Sequence, residues 1–557
     1  MNTTFNLIFI AKKGIRLSNF LISISIPIFF YKTKQMVLKT KLNLAVTIKD
    51  FLMNNLLKLL VYSTTILGLI SCVATKNKNY IYNQKYSTKA FQKDAIVLKQ
   101  VLETHHPSLY WHTSKDSMDK LFSDLLNYNS KDSLTEIECR NKLQQVVEQI
   151  KCGHTTVRFS KQFNQEATKF LYPIFPLQIK TWGDSLVVLG RYNVADSMLK
   201  RGTIITSING KKTKEILKAM FKLVSTDANA NNHKNQVITG NFPLWHKYCF
   251  GLDSIYSVGY IKENGMEDIV TIKWFKPIID TSKKIKRPKE EITKTNQPSK
   301  KEKRIALLLS KRSLVIDSAS NTAYIKLSSF TGGKLKVFFR KSFKTIHQQN
   351  IKNLVFDLRE NSGGRVHNAI LLNKYLSKLA FKVGDTIAAK SPTLTNGKYI
   401  GFHWAYTIAK IFGSKKLADG YWHNSVYETK YFAPKTTFHF DGKIYIIQGG
   451  YTFSAATLFA GWLRNQSNVT IVGEESGGAY YGNSAMFIPT IYLPNTKLRV
   501  SLPLYKLVMD NYRQKGSGII PHIEIPPNSY AIKKGLDLKI ERLKQIINAD
   551  ATVQKLP

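Results

Sequence analysis

The chain has 557 residues, too many for one ordinary hydrophobic core, and its 43% hydrophobic and 11% aromatic content is enough for two or three globular domains. A formal charge of +45 arises from 82 Lys and Arg against 37 Asp and Glu. The lysines are spread along nearly the whole chain, which argues against a nucleic-acid interface, where they would cluster, and leaves a composition bias or attraction to an anionic membrane. Cys72, Cys139, Cys152 and Cys249 form no CxxC pair, which argues against a zinc knuckle or thioredoxin-like site; the last three read as small buried residues, with a disulfide among them the alternative.

Residues 1–72 read as a signal region. From Met53 one early Lys58 precedes an apolar run to Ile70, short for a spanning helix and suited to a secretory signal. The ending Leu69-Ile70-Ser71-Cys72 resembles a bacterial lipobox, in which the Cys is lipidated and becomes the first mature residue. This makes Cys72 the expected lipidation site, Met53 the expected start, and the protein a membrane-anchored lipoprotein of the cell envelope. The competing reading takes residues 1–31, with the apolar stretch Phe20–Phe30 broken by Pro27, as signal or spanning helix.

Residues 85–165 carry apolar residues at helical spacing: Phe91, Ile96, Leu98, Val101 and Leu102 in one stripe, then Leu143, Val146, Val147 and Ile150 in another. Between them, His105, His106 and His112 match no common zinc spacing. Residues 174–275 read as a small β-rich domain. The stretch Arg201-Gly202-Thr203-Ile-Ile-Thr-Ser-Ile-Asn209-Gly210 resembles the strand and Asn-Gly turn of a PDZ domain, with Thr203 in place of the usual Asp. PDZ domains bind extended peptides at a sheet edge; the alternative is a structural spacer. Residues 276–305 are dense in charge and read as a linker or insertion. From 306 to 545, strands at 314–316, 322–327, 352–357, 443–447 and 469–472 alternate with helices at 338–348 and 455–465, which predicts an α/β layered domain.

Three elements in this framework bear chemistry. Ser454, in Gly449-Gly-Tyr-Thr-Phe-Ser-Ala-Ala456, opens a helix after a strand and a Gly-Gly turn. A serine there attacks a carbonyl while free helix N-terminal amides face the oxyanion, although Ser is also simply a good helix cap. A buried strand runs into Asp357-Leu-Arg-Glu-Asn-Ser-Gly363-Gly364, whose glycines let the backbone approach a ligand. His154, in Cys152-Gly-His-Thr155, is a side chain suited to moving protons near neutral pH.

The ordered set of Gly-His-Thr, a PDZ-like segment, Asp-x-Arg-x-Asn-x-Gly-Gly, Thr-Phe-Ser-Ala-Ala and Gly473-Glu-Glu-Ser-Gly-Gly478 resembles the serine peptidases that include the tricorn protease core and the C-terminal processing peptidases, over residues 90–530. The resemblance implies a crotonase-like (ClpP/crotonase) layered catalytic domain and an acyl-enzyme mechanism on peptide or protein substrates, without cofactor or metal. No Lys occurs between Arg464 and Lys497, so the Lys base of the processing peptidases is missing near Ala479. The tricorn-like branch uses a His from the Gly-His-Thr region. The resemblance therefore implies Ser454 as nucleophile, His154 as base, and Gly363, Gly364 and Ala455 as oxyanion-hole donors. For the carboxylate that orients His154, Asp510 is the first choice, with Glu474 and Glu475 as alternatives. Cys152 stands where relatives carry an acidic residue, and His522 replaces an Asp. The same fold also hosts proteins that bind peptides or hydrophobic ligands without catalysis.

Overall fold

The strands expected from residue 314 onward assemble into one six-stranded sheet in the computed structural model, which describes residues 80–129, 133–169, 172–192, 198–277 and 299–553. The order is Arg312–Asp317, Thr322–Leu327, Asn353–Asp357, Lys443–Gln448, Val469–Gly473 and Ile523–Glu524. The first pair is antiparallel and the rest are parallel. Parallel strands need cover on both faces, and period-two alternation supplies the apolar groups for both. Leu354, Phe356, Ile444 and Ile446 pack with Phe343, Leu372 and Phe459 from the helices Leu335–Gln348, Val366–Asn373 and Ala455–Leu463. Val355, Tyr445, Ile447 and Val472 face the other way, against Leu543 and Ile547 of the helix Leu538–Val553. The result is a mixed α/β layered fold.

The N-terminal helices share a core with the second half of the chain. Phe91, Leu98, Val101 and Leu102 of the helix Thr88–His105 join a cluster that includes Leu498, Val500, Leu502 and Leu507. Ile96 departs from the expected stripe and is 43% exposed; the position facing inward is Ala95. The strand Val157–Arg158 pairs antiparallel with Arg499–Ser501, so the segment after His154 is stitched to residues some 340 positions later.

Residues 174–275 hold an antiparallel sheet, Leu177–Trp182, Ser185–Arg191, Ile204–Ile208, Ile255–Ile261 and Glu267–Lys273, as the β-rich reading requires. Asn209 and Gly210 take the left-handed conformation of a tight turn, with Ile208 paired to Lys211. The same stretch also contains the helices Thr213–Phe221, Asn231–Gly240 and Phe242–Phe250, which that reading did not anticipate. The helix Lys300–Lys311 begins inside the expected linker, where Ser299 and Glu302 form a reciprocal capping box. Cys72, the signal region and most of the expected linker lie outside the described residues. No helix among the described residues is long and apolar enough to cross a membrane.

Candidate active site

Ser454 sits where the strand Lys443–Gln448 hands over to the helix Ala455–Leu463, and its backbone has φ +53° and ψ −123°. A non-glycine residue there costs on the order of 1–3 kcal/mol and persists only where its surroundings over-determine it. Those surroundings are visible. Thr452 Oγ donates to Leu358 O at 2.9 Å, Thr457 Oγ donates to Thr452 O at 3.0 Å, and Phe453 N donates to Asn361 O at 3.1 Å. The Ser454 hydroxyl makes no capping bond to the helix, so the bland explanation for a serine at this corner does not apply.

The Gly-Gly loop lies directly against this corner. A Cβ on Gly363 would fall 2.7 Å from Ser454 Cβ and 2.9 Å from Ala455 N, and Gly363 has φ +96°, so only glycine allows the approach. The Gly363 amide is already used, donating to Asn361 Oδ1 at 2.9 Å. The amides of Gly364 and Ala455 donate to no partner among the described residues, which leaves these two of the three expected oxyanion donors available. Behind the corner, a Cβ on Gly478 would meet Ser454 N at 3.2 Å, which places the Gly473–Gly478 turn against the Ser454 backbone.

His154 arrives from the end of the N-terminal helices. Its ring packs on Phe453, the residue before Ser454, at 4.8 Å between centroids, and Gly153 leaves no room for a Cβ against the same ring. The structure thus gathers the expected nucleophile and base around one phenylalanine, with no hydrogen bond between them. His154 Nδ1 is buried and has no hydrogen-bond partner. Burial, with a smaller contribution from His233, lowers the imidazole pKa to about 4.

Asp510 is not at the imidazole. It accepts from Tyr512 N at 2.9 Å and pairs with Arg513 at 3.6 Å, because it caps its own surface turn. Glu474 pairs with Lys539 at 2.7 Å and Glu475 accepts from Gly518 N at 2.7 Å, so neither alternative reaches His154. The carboxylate beside the imidazole is Asp227, whose oxygen lies with Cys152 Sγ and a His154 ring nitrogen in a group all within 4.8 Å of one another. Asp227 Oδ1 accepts from Gly153 N at 2.7 Å and Oδ2 from Asn483 Nδ2 at 3.2 Å. Burial raises its pKa to about 7 against these favourable bonds.

A second imidazole also flanks Phe453. His233, on the helix Asn231–Gly240, stacks on that ring at 4.9 Å and sits 2.9 Å from Gly450 O through Nδ1. With the proton on Nδ1 for that bond, Nε2 keeps its lone pair. Neither Asp227 nor His233 carries a sequence motif; both come from the sheet-and-helix unit, and only the fold brings them to His154 and Phe453.

Residues 321–525 match the family model described as Peptidase family S41. No curated protein matches the chain. Among solved structures, mature CPAF complexed with lactacystin is 13% identical, covers 83% of this chain and 98% of its own, and superposes with a TM-score of 0.55, a likeness of fold. A putative peptidase from Parabacteroides merdae is 13% identical over 83% of this chain and 97% of its own, with a TM-score of 0.41.

Proposed function

Because the chain carries a serine peptidase domain of family S41 over residues 321–525, we propose that it is a secreted, lipid-anchored endopeptidase in which Ser454 is the nucleophile and His154 the base. The observation that carries this reading is the strained, uncapped Ser454 held against the Gly363-Gly364 loop and sharing Phe453 with His154. Ser454 Oγ attacks the scissile carbonyl as His154 takes its proton, and the amides of Ala455 and Gly364 receive the oxyanion. His154 then delivers the proton to the leaving amine, and water, activated by the same imidazole, releases the acyl half. Asp227 replaces Asp510 as the group that stabilises the imidazolium. No cofactor or metal takes part in this cycle. The sheet of residues 174–275 acts as a PDZ-like docking unit, where an extended peptide adds to the edge strand Glu267–Lys273. Cys72 is the lipid attachment point that holds the protein at an envelope membrane. Catalytic layering of the crotonase type is part of the same reading.

The test is Ser454→Ala together with a fluorophosphonate probe. Wild type is expected to label at Ser454 and to hydrolyse a casein-type substrate; the variant should do neither while melting at the same temperature. Full hydrolysis by the variant would sink the mechanism. A second assignment of the base is favoured by the Nδ1 contact of His233, which leaves its Nε2 free. If His233→Ala removes hydrolysis and His154→Ala leaves it, the base is His233.

A further inference from the structure

Cys152, His154 and Asp227 form a cluster of metal-ligand type that the peptidase mechanism only partly uses. One donor atom from each lies within 4.8 Å of the other two, and Cys152 and Asp227 are 3% and 1% exposed. Cys152 and His154 flank Gly153, and the Gly153 amide pins Asp227 Oδ1 at 2.7 Å. Asn483 holds Oδ2 at 3.2 Å, so the carboxylate is oriented before any ion arrives. Cys152 Sγ lies 3.6 Å from Ser484 O and also meets the Thr155 side chain and the His154 and Thr155 amides, groups that favour its thiolate, while His154 Nδ1 is buried with no hydrogen-bond partner.

We infer that Cys152, His154 and Asp227 bind a single Zn²⁺-type divalent cation, and that this ion switches the peptidase off. One sulfur, one imidazole nitrogen and one carboxylate oxygen suit a borderline-soft ion that favours four-coordinate geometry, with bonds of about 2.0–2.3 Å. Drawing the donors in to those distances takes shifts on the order of 1 Å from the separations present. Three protein ligands leave a fourth position for water. Coordination releases the Cys152 thiol proton to solvent and leaves a thiolate and a carboxylate on a dication, so the buried site gains little net charge. The inhibitory consequence rests on the assignment of His154 as base: an imidazole fixed in a metal's coordination sphere is not free to receive the Ser454 proton. The binding itself does not depend on that assignment.

The experiment titrates Co²⁺ into the full chain and follows absorbance. The expected result is saturation at one equivalent, with a thiolate-to-cobalt charge-transfer band and the visible bands of four-coordinate cobalt. Cys152→Ser should lose the charge-transfer band, and Asp227→Asn should weaken binding by roughly 10–100-fold. Ser454→Ala should bind as wild type does. Absence of saturable binding by folded wild-type protein overturns the site, as does an unchanged band in Cys152→Ser, which would assign it to another cysteine. Wild type needs no substitution to give the first of these answers, so a variant that fails to fold does not remove the test. A parallel assay adds Zn²⁺ at the bound stoichiometry and reads hydrolysis. Hydrolysis stopped by Zn²⁺ and restored by a chelator supports the switch. Binding with undiminished hydrolysis leaves the ion site standing and overturns both the switch and His154 as base.

Discussion

At the scale of single residues, the proposed mechanism turns on the charge state of Asp227. An imidazole whose pKa has fallen to about 4 is neutral at pH 7, the form needed to accept a proton, but it is a weak base, and the imidazolium formed during attack needs a negative neighbour. Asp227 supplies that charge only when ionised. Its pKa of about 7 means that it ionises as pH rises through neutrality, so kcat/KM is expected to climb with pH through about 7 in a metal-chelating buffer. In Asp227→Asn this limb should vanish, with kcat/KM lowered on the order of 100-fold. Survival of the limb in the variant would assign it to another group. This residue scale also shows where sequence reasoning stops. Ser454 and the Gly363-Gly364 turn stand out in the sequence because their signal lies in adjacent residues: a serine at a helix start, and two glycines after a buried strand. Asp227 was not, since it reaches Gly153 from 74 positions away and a lone aspartate has no signature. The choice of Asp510 failed for the complementary reason, that an Asp before Asn-Tyr is also a good local turn former and is used as one.

Elements were read well wherever periodicity and burial agree. The parallel strands are continuous apolar runs, and the helix Ala455–Leu463 is apolar nearly all round because it is buried nearly all round. The helix His403–Gly413 breaks that agreement. Trp404, Ile408, Ile411 and Phe412 fall on one face by helical spacing, yet all are at least 43% exposed, while Lys410 is 1% exposed. Periodicity tells which residues share a face and not which face turns inward. The inversion has an energetic cost that can be measured. Burial depresses the Lys410 ammonium from 10.5 to about 8. A depressed folded-state pKa means that the neutral form is favoured in the fold, so stability present above about pH 10.5 is lost as pH falls toward 8 and stays low below it. Lys410→Met should remove this slope and stabilise the protein at pH 7 by about 1–3 kcal/mol, read from urea unfolding at several pH values. Equal pH slopes in the two proteins would show that the ammonium is solvated after all.

The whole molecule brings His154 from the end of its N-terminal helices against Phe453, beside Ser454 of its C-terminal half, and it does so by fusing the two parts rather than docking them. The hydrophobic core that holds Phe91 and Leu98 also holds Val500 and Leu507. Asp94, fully buried on the helix Thr88–His105, accepts from Asn495 N at 2.9 Å, Asn495 Nδ2 at 2.8 Å, Thr496 N at 2.7 Å and Thr496 Oγ at 2.6 Å. That cluster fixes the turn leading into Arg499–Ser501, which pairs with Val157–Arg158 three residues beyond His154. Replacing the carboxylate leaves buried donors without an acceptor, so Asp94→Ala should destabilise the protein by about 2–4 kcal/mol. If the helices and the peptidase sheet form one cooperative body, circular dichroism and fluorophosphonate labelling of Ser454 will be lost together in urea, both at a lower midpoint than in wild type. If the helical part is instead an independent domain, the two signals will separate, and labelling will survive after part of the helical signal has gone. The core shared by Phe91 and Val500 argues for the first outcome, because a displaced helix Thr88–His105 removes apolar cover from Arg499–Ser501, the strand that pairs with Val157–Arg158 just after His154.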